Sequence, residues 1–499
     1  MAVDPDAAFR ILILGDFSGR EQQRLQTPPG QRLRSRQISR DNFDEVLELL
    51  DVKLVQLRVL PDSEPVDIRF RELEHFEPDH LYETLPIFAK LRDLRSRLNS
   101  SDGFQAAADE VLAWGRGVNH DSAAPSSDST LQTSLPESAT ESADVVVDAV
   151  GGSLLDQMLE PSEMDDASGS STTSEWQRMI ENIVSPYLVP GADPRQAELV
   201  RCVDDAIQVT MRAVLHHPSF QRLESTWRCL RMLVRQLETN HELSIHLVDI
   251  SKAEIAQDLL SSTELRGTAL HHLLVEQTVE TPGAEDWSIV VGSFECLPSD
   301  RDAHLLAQLG RLAQAANAAL LSSASTSLVG CSGSVDSPVF ALNAFLEQSA
   351  WQELKSSDVA DRILLCWPKF MVRLPYGAAT RPIEAFEFEE VAGISDRHRL
   401  LWGNSAYLAA ILLGQSFSQS GWSMHLSERQ EVESLPVWTY NDDGETQLHP
   451  CGEFLITQRM IEALQTSGIT PLMSIRDSDT LRIGGFYSLA AKKLVGPWN

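Results

Sequence analysis

Several features that mark common classes of protein are scarce or missing in this sequence. Its six cysteines are widely spaced, without a C-x-x-C pair, which excludes a disulfide framework and the usual cysteine zinc cage. No uninterrupted apolar run reaches the roughly 20 residues of a membrane-spanning helix. The opening stretch MAVDPDAAFR lacks the basic and apolar regions of a secretory leader. We therefore expect reduced thiols, a cytoplasmic location and no membrane contact.

Positive charge is also in deficit. The chain has 41 Lys and Arg against 72 Asp and Glu, a net charge of −31, which repels the phosphates of nucleic acid. The one basic concentration is the segment SGREQQRLQTPPGQRLRSRQISR, with Arg20, Arg24, Arg32, Arg34, Arg36 and Arg40. Two interpretations stay open: the segment faces an acidic protein surface, of this chain or of a neighbour, or it is a solvated loop.

The stretch FRILILGDFSGR, residues 9–20, has the form of a strand that runs into a phosphate-binding turn. A Walker loop requires Gly-Lys-Ser/Thr at its end, whereas Gly19 is followed by Arg20 and Glu21. The G-x-G-x-x-G pattern is absent, and no nucleophile adjoins His216 and His217. We therefore predict no catalytic, cofactor-binding or metal-binding residue, and no enzymatic activity.

Residues 1–100 have the pattern of a small α/β unit. Residues 9–14 predict a strand, DNFDEVLELL (41–50) a helix capped by Asp41, and VKLVQLRVL and VDIRF two more strands. Farther on, apolar residues at steps of three or four predict a helical stripe that only Pro86 interrupts.

A change of composition follows this unit. Between Arg116 and Arg178 there is no Lys or Arg, and Ser, Thr, Ala, Asp and Glu dominate, so residues 101–173 are predicted to be an acidic flexible linker. Within it, SLLDQMLE (153–160) predicts a short amphipathic helix with an apolar face of Leu154, Leu155, Met158 and Leu159. This helix either docks on a partner or packs on its own chain.

Residues 174–499 have the composition of a larger domain. Two helices are predicted on either side of Pro218, and Phe220 and Trp227 lie on one face of the second, where we expect them in the core. Buried strands such as LSIHLVDI and WSIVVGSF alternate with helical stretches, which favours an α/β sheet.

Two sets of segments carry a family resemblance. FRILILGDFSGR, SRQISRDNFDEVL and VDIRFRELEHFEPDHLYETLPIFAKLRDLRSRL together resemble the small sheath subunit of the bacterial type VI secretion system. LLDQMLE, LHHPSFQRLESTWRCLRMLV, WPKFMVRLPYG, FEFEEV and LLWGNSAYLAAILLGQSFSQSGW resemble, in order, its large sheath subunit. The likeness covers residues 8–100 and 152–490.

The resemblance implies a fused sheath protein of mixed α/β and α+β type, with the small N-terminal unit packed on the larger domain. It also implies partners: sheath or baseplate subunits in a homo- or hetero-oligomer, the inner tube protein, and the AAA+ ATPase that disassembles sheaths, which would bind at SLLDQMLE. Family members continue beyond GGFYSLAAKKLVGPWN, so the larger domain is expected to be shortened at its C-terminus. Cys229 stands where the family usually has glycine.

Two functions follow from this reading. The chain is a structural component of the contractile sheath, or it is a sheath-like adaptor or terminator that does not polymerise. An uncharacterised enzyme is a remote third alternative, for which no residues have the required spacing. For assembly we expect the first strand, Arg10, Ile11, Leu12, Ile13 and Leu14, to add to the sheet edge of a neighbour. Proline at Ile11 or Ile13 is then expected to abolish association and leave the fold largely intact.

Overall fold

The computed structural model describes residues 6–27, 32–61, 63–100, 102–116, 195–262, 264–333, 338–340, 348–391, 393–442 and 444–498. These residues form two compact units, Met1–Asp93 with Val203–Asn499, and Leu94–Cys202. The linker predicted over 101–173 is wrong at its start, because its described part, 102–116, contains the helix Phe104–Arg116. Its remaining residues lie outside the described ranges, and so does the helix predicted over 153–160 with Leu154, Leu155, Met158 and Leu159. Among the helices that are described, none is long and apolar enough to cross a membrane.

The strands are numbered here in chain order. They are β1 (Phe9–Gly15), β2 (Arg36–Ile38), β3 (Lys53–Leu57), β4 (Val66–Arg69), β5 (Leu243–Asp249), β6 (Ile289–Cys296), β7 (Ala319–Ala324), β8 (Cys331–Gly333), β9 (Pro338–Phe340), β10 (Ile363–Trp367), β11 (Phe370–Met371), β12 (Trp402–Gly403), β13 (Glu431–Val432), β14 (Trp438–Asp442), β15 (Glu445–His449), β16 (Ile469–Ser474) and β17 (Leu481–Ile483).

The α-helices are α1 (Arg20–Gln23), α2 (Phe43–Leu49), α3 (Pro78–Thr84), α4 (Pro86–Leu98), α5 (Phe104–Arg116), α6 (Gln196–Leu215), α7 (Pro218–Gln236), α8 (Lys252–Leu260), α9 (Ala269–His271), α10 (Asp300–Ala315), α11 (Thr326–Val329), α12 (Ser349–Ser356), α13 (Ala406–Ser420) and α14 (Gln458–Ser467). A single π-helical turn, His272–Glu276, continues α9.

One sheet of nine strands organises the larger unit. Its order is β13-β17-β16-β10-β7-β6-β1-β5-β2, and its central strands run parallel. Helices cover a parallel sheet on both faces, so its strands are apolar throughout. This agrees with ILLCW in β10 and ALLSSA in β7, in which every residue is buried. The α/β class predicted from the sequence is confirmed.

The first strand of the chain lies inside this sheet. Along its whole length β1 pairs in parallel with β5, from Phe9 opposite Leu243 to Gly15 opposite Asp249. On its other side it pairs with β6, from Ile11 opposite Ile289 to Leu14 opposite Gly292. Both edges of the strand are therefore hydrogen-bonded within the chain.

This position corrects the expectation of a strand free to reach a neighbour. Ile11, Leu12, Ile13 and Leu14 are completely buried, because a strand inside a parallel sheet has helices over both faces. Arg10 is held too, with its guanidinium carbon 3.9 Å from the centre of the Trp287 ring. The strand also joins residues 9–93 to the larger domain. The N-terminal residues were expected only to pack on that domain, but they contribute a strand to its sheet.

Two helices predicted from local sequence patterns in the N-terminal residues are present, but their boundaries differ from the prediction. The helix predicted over 41–50 is α2, but its cap residue is Asn42 and not Asp41, so the helix begins two residues after Asp41. The helical stripe is two helices, α3 and α4, that meet at Leu85, because a residue before proline is driven to an extended conformation.

The smaller unit, Leu94–Cys202, is described in part. Its helix α5 follows the end of α4, and the two are linked by an ion pair of 2.8 Å between Arg97 and Glu110. The side chain of Gln196 donates to the carbonyl of Leu98 at 2.7 Å, which ties the start of α6 to the end of α4.

We expect Ile13→Ala to lower the free energy of unfolding by about 2–5 kcal/mol and Ile13→Val by about 0.5–1.5 kcal/mol, because the side chain is fully buried. Leu49→Ala is the control, since Leu49 is 62% exposed on α2. Denaturant unfolding of all three variants measures these changes.

Ile13→Pro should prevent folding, because proline removes a ladder hydrogen bond from a central strand. This replaces the expectation that proline would spare the fold. A stable, folded Ile13→Pro variant would contradict the central position of β1.

Candidate functional site

The candidate functional site is the junction between residues 6–93, called here the N-terminal part, and residues 203–498, the C-terminal part. It begins at the turn after β1. Asp249, at the end of β5, accepts the backbone N–H groups of Phe17 and Ser18 at 2.9 and 3.0 Å, and the Ser18 hydroxyl at 2.7 Å. In a phosphate loop such N–H groups would face a ligand. Here a carboxylate of the chain itself occupies them.

A second carboxylate closes the same turn from within. Asp16 accepts the backbone N–H groups of Arg20 at 2.6 Å and Glu21 at 2.9 Å, which satisfies two free donors of α1. Burial raises the pKa of Asp16 to about 6, although these two N–H groups oppose the rise. Gly19 has a φ of 82°, and a Cβ there would lie 2.4 Å from the carbonyl oxygen of Lys53. The turn therefore requires glycine at this position.

Arg20 fastens the turn to α8. Its guanidinium donates to both carboxylate oxygens of Glu254, at 2.9 and 2.6 Å, and lies 3.7 Å from Asp249. Glu254 is also the acidic member of a capping box with Ser251 at the start of α8. Burial alone would raise the pKa of Glu254, but the bonds from Arg20 and Ser251 lower it to about 2. The arginine that breaks the Walker pattern thus forms a structural ion pair.

Trp227 of α7 closes the junction from the C-terminal part. Its indole nitrogen donates to the carbonyl of Phe17 at 2.8 Å. The ring meets the Phe17 and Phe43 rings edge to face, with centroids 5.7 and 5.5 Å apart. One side chain thereby packs on two aromatic residues of the N-terminal part. The predicted core position of Trp227 is confirmed, since the side chain has no exposed surface.

Phe220 repeats this arrangement about two helical turns earlier on α7. Its ring packs edge to face on Phe70 and Phe76, which stack on each other with centroids 3.9 Å apart. Phe220 is also fully buried, as predicted. Aromatic pairs of this geometry add to the stabilisation that comes from burial alone.

The Phe-Glu-Pro-Asp step, residues 76–79, has a defined role in the junction. Asp79 accepts the backbone N–H groups of Glu384 and Ala385, both at 3.1 Å. Glu77 forms an ion pair of 2.6 Å with Arg381. The start of α3 therefore binds a loop of the C-terminal part through both acidic residues of the motif.

A buried ion cluster lies at the centre of the C-terminal part. Arg373 donates to Glu224 at 2.7 and 3.3 Å and to Glu390 at 2.7 and 3.0 Å, and all three side chains are almost fully buried. Arg228 adds a second positive charge, 2.7 Å from Glu224. The backbone N–H of Tyr376 also donates to Glu390. Two arginines thus balance two glutamates inside the protein.

The electrostatics of this cluster keep Arg373 and Glu390 ionised. Burial alone raises the pKa of Glu390, but Arg373 lowers it to about 2. Burial alone lowers the pKa of Arg373, and its two glutamates raise it well above the usual value. A buried ion pair of this kind adds little net stability but is costly to break, so it selects one arrangement of its segments.

These charges come from three segments that carried the family resemblance: Glu224 from LHHPSFQRLESTWRCLRMLV, Arg373 from WPKFMVRLPYG and Glu390 from FEFEEV. Sequence reasoning missed the cluster, because each residue is an ordinary charge in its own segment.

The two histidines of LHHPSFQRLESTWRCLRMLV, His216 and His217, both have contacts within the chain. His216 lies 3.7 Å from Glu390, and His217 accepts the N–H of Ser219 and so caps α7.

A cavity of about 500 Å³ opens at the carboxyl ends of β1, β5 and β6. Ligands of α/β proteins bind at such an edge. Its lysines already face carboxylates, because Lys252 lies 2.5 Å from Asp302 and Lys369 lies 3.4 Å from Glu295. Within the described ranges no group of His, Cys, Asp and Glu has the arrangement of a metal site.

Cys229 occupies a tight position beside β12. A Cβ on Gly403 would lie 2.7 Å from the Cys229 sulfur, so the absence of a side chain at 403 makes room for the thiol. Burial raises the pKa of this thiol to about 12, which leaves it protonated and unreactive.

We expect Trp227→Ala to lower the free energy of unfolding by about 3–5 kcal/mol, because it leaves a cavity between the two parts. Trp227→Phe keeps a ring but removes the N–H that bonds Phe17, so its loss should be smaller. Thermal or denaturant unfolding compares the two variants. A Trp227→Ala protein with unchanged stability would show that the ring is not part of the junction.

Arg373→Met should destabilise the chain by about 3–5 kcal/mol, because it leaves the buried carboxylate of Glu390 without an arginine, while Glu224 keeps only Arg228. Adding Glu390→Gln restores the balance between Arg228 and Glu224, and should recover part of the loss. Arg381→Met is the matched control, since the half-exposed Arg381–Glu77 pair is expected to contribute less than about 1 kcal/mol. Equal losses from Arg373→Met and Arg381→Met would contradict a special role for the buried cluster.

Comparison with known proteins yields two family matches along the chain. The family of type VI secretion system VipA proteins matches residues 4–109. The VipB (EvpB) tail sheath N-terminal domain matches residues 197–490, which is more than half of the chain. The two matches cover, between them, both parts that form the junction.

A curated relative agrees with the second match. The type VI secretion system sheath protein TssC1 of Pseudomonas aeruginosa is 31% identical over 301 residues, which are 58% of this chain and 60% of the relative. This chain thus spans less than two thirds of the relative's length. The family predicted from the sequence is confirmed: the chain belongs to the type VI secretion tail sheath family and carries both a VipA-type and a VipB-type domain.

Proposed function

We propose that this chain is a structural protomer of a type VI contractile sheath, in which one polypeptide supplies the small and the large subunit. The observation that carries the proposal is the position of β1. A strand of the VipA-type domain lies between β5 and β6 of the VipB-type domain, hydrogen-bonded to both. The two domains therefore form one folded body.

A sheath protomer must keep its shape while its contacts with other protomers change, because contraction is a switch between two packings of the polymer. The junction suits this requirement. The parallel sheet and the aromatic contacts of Trp227 hold the N-terminal part on the C-terminal part, and the Arg373 cluster fixes three segments within the C-terminal part. No bond-making chemistry is needed, and both matched families are sheath components.

The partners follow from the same proposal. Other sheath subunits come first, since a sheath is a polymer; baseplate subunits, the inner tube protein and a disassembly AAA+ ATPase remain predicted partners. The proposal keeps the cytoplasmic location expected from the sequence. Contact with the ATPase through Leu155 and its neighbours stays a prediction, because those residues lie outside the described ranges.

A second function is favoured by one observation. Both edges of β1 are paired inside the chain, so this strand is not available for exchange with another protomer. A chain that does not offer β1 for exchange can bind a sheath or baseplate without extending it. It would then be an adaptor or terminator, as the sequence also allowed.

Negative-stain microscopy of the purified chain tests both functions. Tubes formed by the chain alone would support the sheath protomer and refute the adaptor. Association with separately expressed sheath subunits, without tubes from the chain alone, would support the adaptor. Circular dichroism must show a folded chain in each sample. A folded chain that neither forms tubes nor binds sheath subunits would contradict both functions.

A further inference from the structure

Three arginines form a row on the surface of the N-terminal part. Arg32, Arg34 and Arg36 are exposed, while Leu33 between the first two is buried. This alternation is typical of extended backbone, which places alternate side chains on the same face. Arg36 is the first residue of β2, the outermost strand of the nine-stranded sheet, and Arg32 and Arg34 lie in the segment that leads into it.

The row borders a groove of about 410 Å³. Arg32, Arg34 and Arg36 line it together with apolar Leu33 and Leu50. The groove lies beside β5, to which β2 is paired through Arg36 opposite Leu247. It is separate from the larger cavity at the carboxyl ends of the strands, and the side chains of Arg20 and Asp249, which lie 3.7 Å apart, also line it.

These charges differ from Arg20 and Arg40 of the same basic segment. Arg20 is bound to Glu254, and Arg40 donates to the carbonyls of Val234 and Arg235. Within the described ranges, Arg32, Arg34 and Arg36 have neither an ion pair nor a hydrogen-bond acceptor for their guanidinium groups. Three adjacent positive charges thus stay uncompensated in a chain of net charge −31.

The backbone of β2 contributes little to binding. The carbonyl of Gln37, in the middle of this strand, accepts a bond from the side chain of Asn42 at 3.2 Å. An added strand would compete with that bond. Recognition at this edge therefore depends on the guanidinium groups, which suit carboxylates because of their planar pairs of donors.

We propose that this groove binds the acidic segment 117–177 of a second copy of the chain. The segment contains twelve Asp and Glu residues and no Lys or Arg, so its charge complements the arginine row. The inference rests on the proposed function, since a sheath places many copies side by side and raises their local concentration. It adds to that function a charge-based contact between protomers.

The contact should depend strongly on salt. Each exposed arginine–carboxylate pair is weak, and such pairs are screened over about 8 Å at physiological ionic strength. Several pairs in one groove act together, so binding should be measurable at low salt and should decrease as salt is added.

Fluorescence anisotropy of a labelled peptide of residues 156–166, DQMLEPSEMDD, with the full-length chain tests the groove. The triple variant Arg32→Gln, Arg34→Gln and Arg36→Gln should weaken binding by about tenfold or more at low salt. The matched control changes three other exposed arginines, Arg301, Arg459 and Arg476, to Gln, and should bind nearly as the unchanged chain does. A peptide with its five acidic residues changed to Asn and Gln should not bind.

Sedimentation of the full-length chain tests the second copy. Association that increases with protein concentration, and is lost in the row variant but not in the control variant, supports the proposal. A chain that stays monomeric at every concentration, yet shields Arg32, Arg34 and Arg36 from solvent, would place the acidic segment on its own chain. That result would overturn the proposal. Equal peptide binding by the row and control variants would also overturn it, as would tighter binding of single-stranded DNA than of the peptide.

These results are independent of sheath formation. A row variant that loses peptide binding but still forms tubes or binds sheath subunits would confirm the groove and show that assembly has other contacts. A chain that binds the peptide yet fails every assembly test would contradict the proposed function alone.

Discussion

The hydrogen bonding of β1 is the constraint on which the rest of the structure depends. This strand is the first element of the chain, yet both of its neighbours, β5 and β6, come from the C-terminal part. Without it, two buried strands would have unpaired edges in the middle of a sheet, and unsatisfied backbone groups are costly when buried. The VipB-type domain therefore cannot complete its own sheet without the VipA-type strand.

Fusion of the two domains has a direct consequence for this pairing. When a strand and its acceptor sheet belong to one chain, their association is intramolecular, and its probability is set by the connecting segment and not by protein concentration. The turn after β1 then adds its own contacts, since Asp249 accepts the N–H groups of Phe17 and Ser18 and Arg20 binds Glu254. Each of these contacts joins the two domains, so the domains are held together at their junction by side chains as well as by the sheet.

Carboxylates with fixed partners recur through this body. Asp249 binds backbone N–H groups, Asp79 binds the loop at 384–385, and Glu224 and Glu390 share Arg373. Most acidic residues in the described ranges face solvent. These few differ from them because each is at least partly buried and accepts hydrogen bonds from a specific donor. Such contacts have directional geometry, which apolar packing lacks, and they select one arrangement of segments that the hydrophobic effect alone would leave less defined.

Local and compositional properties could be predicted from the sequence by itself. The strand at 9–14, the core positions of Phe220 and Trp227, the helices on either side of Pro218 and the sheath family all follow from patterns within short segments. The partner of that first strand could not be predicted, because an apolar strand has the same pattern at a free edge and at the centre of a sheet. The Arg373 cluster was equally hidden, since Glu224, Arg373 and Glu390 meet only when three distant segments fold together. Periodicity and composition depend on neighbours along the chain, whereas strand pairing and buried charge depend on neighbours in space, and only the tertiary structure decides those.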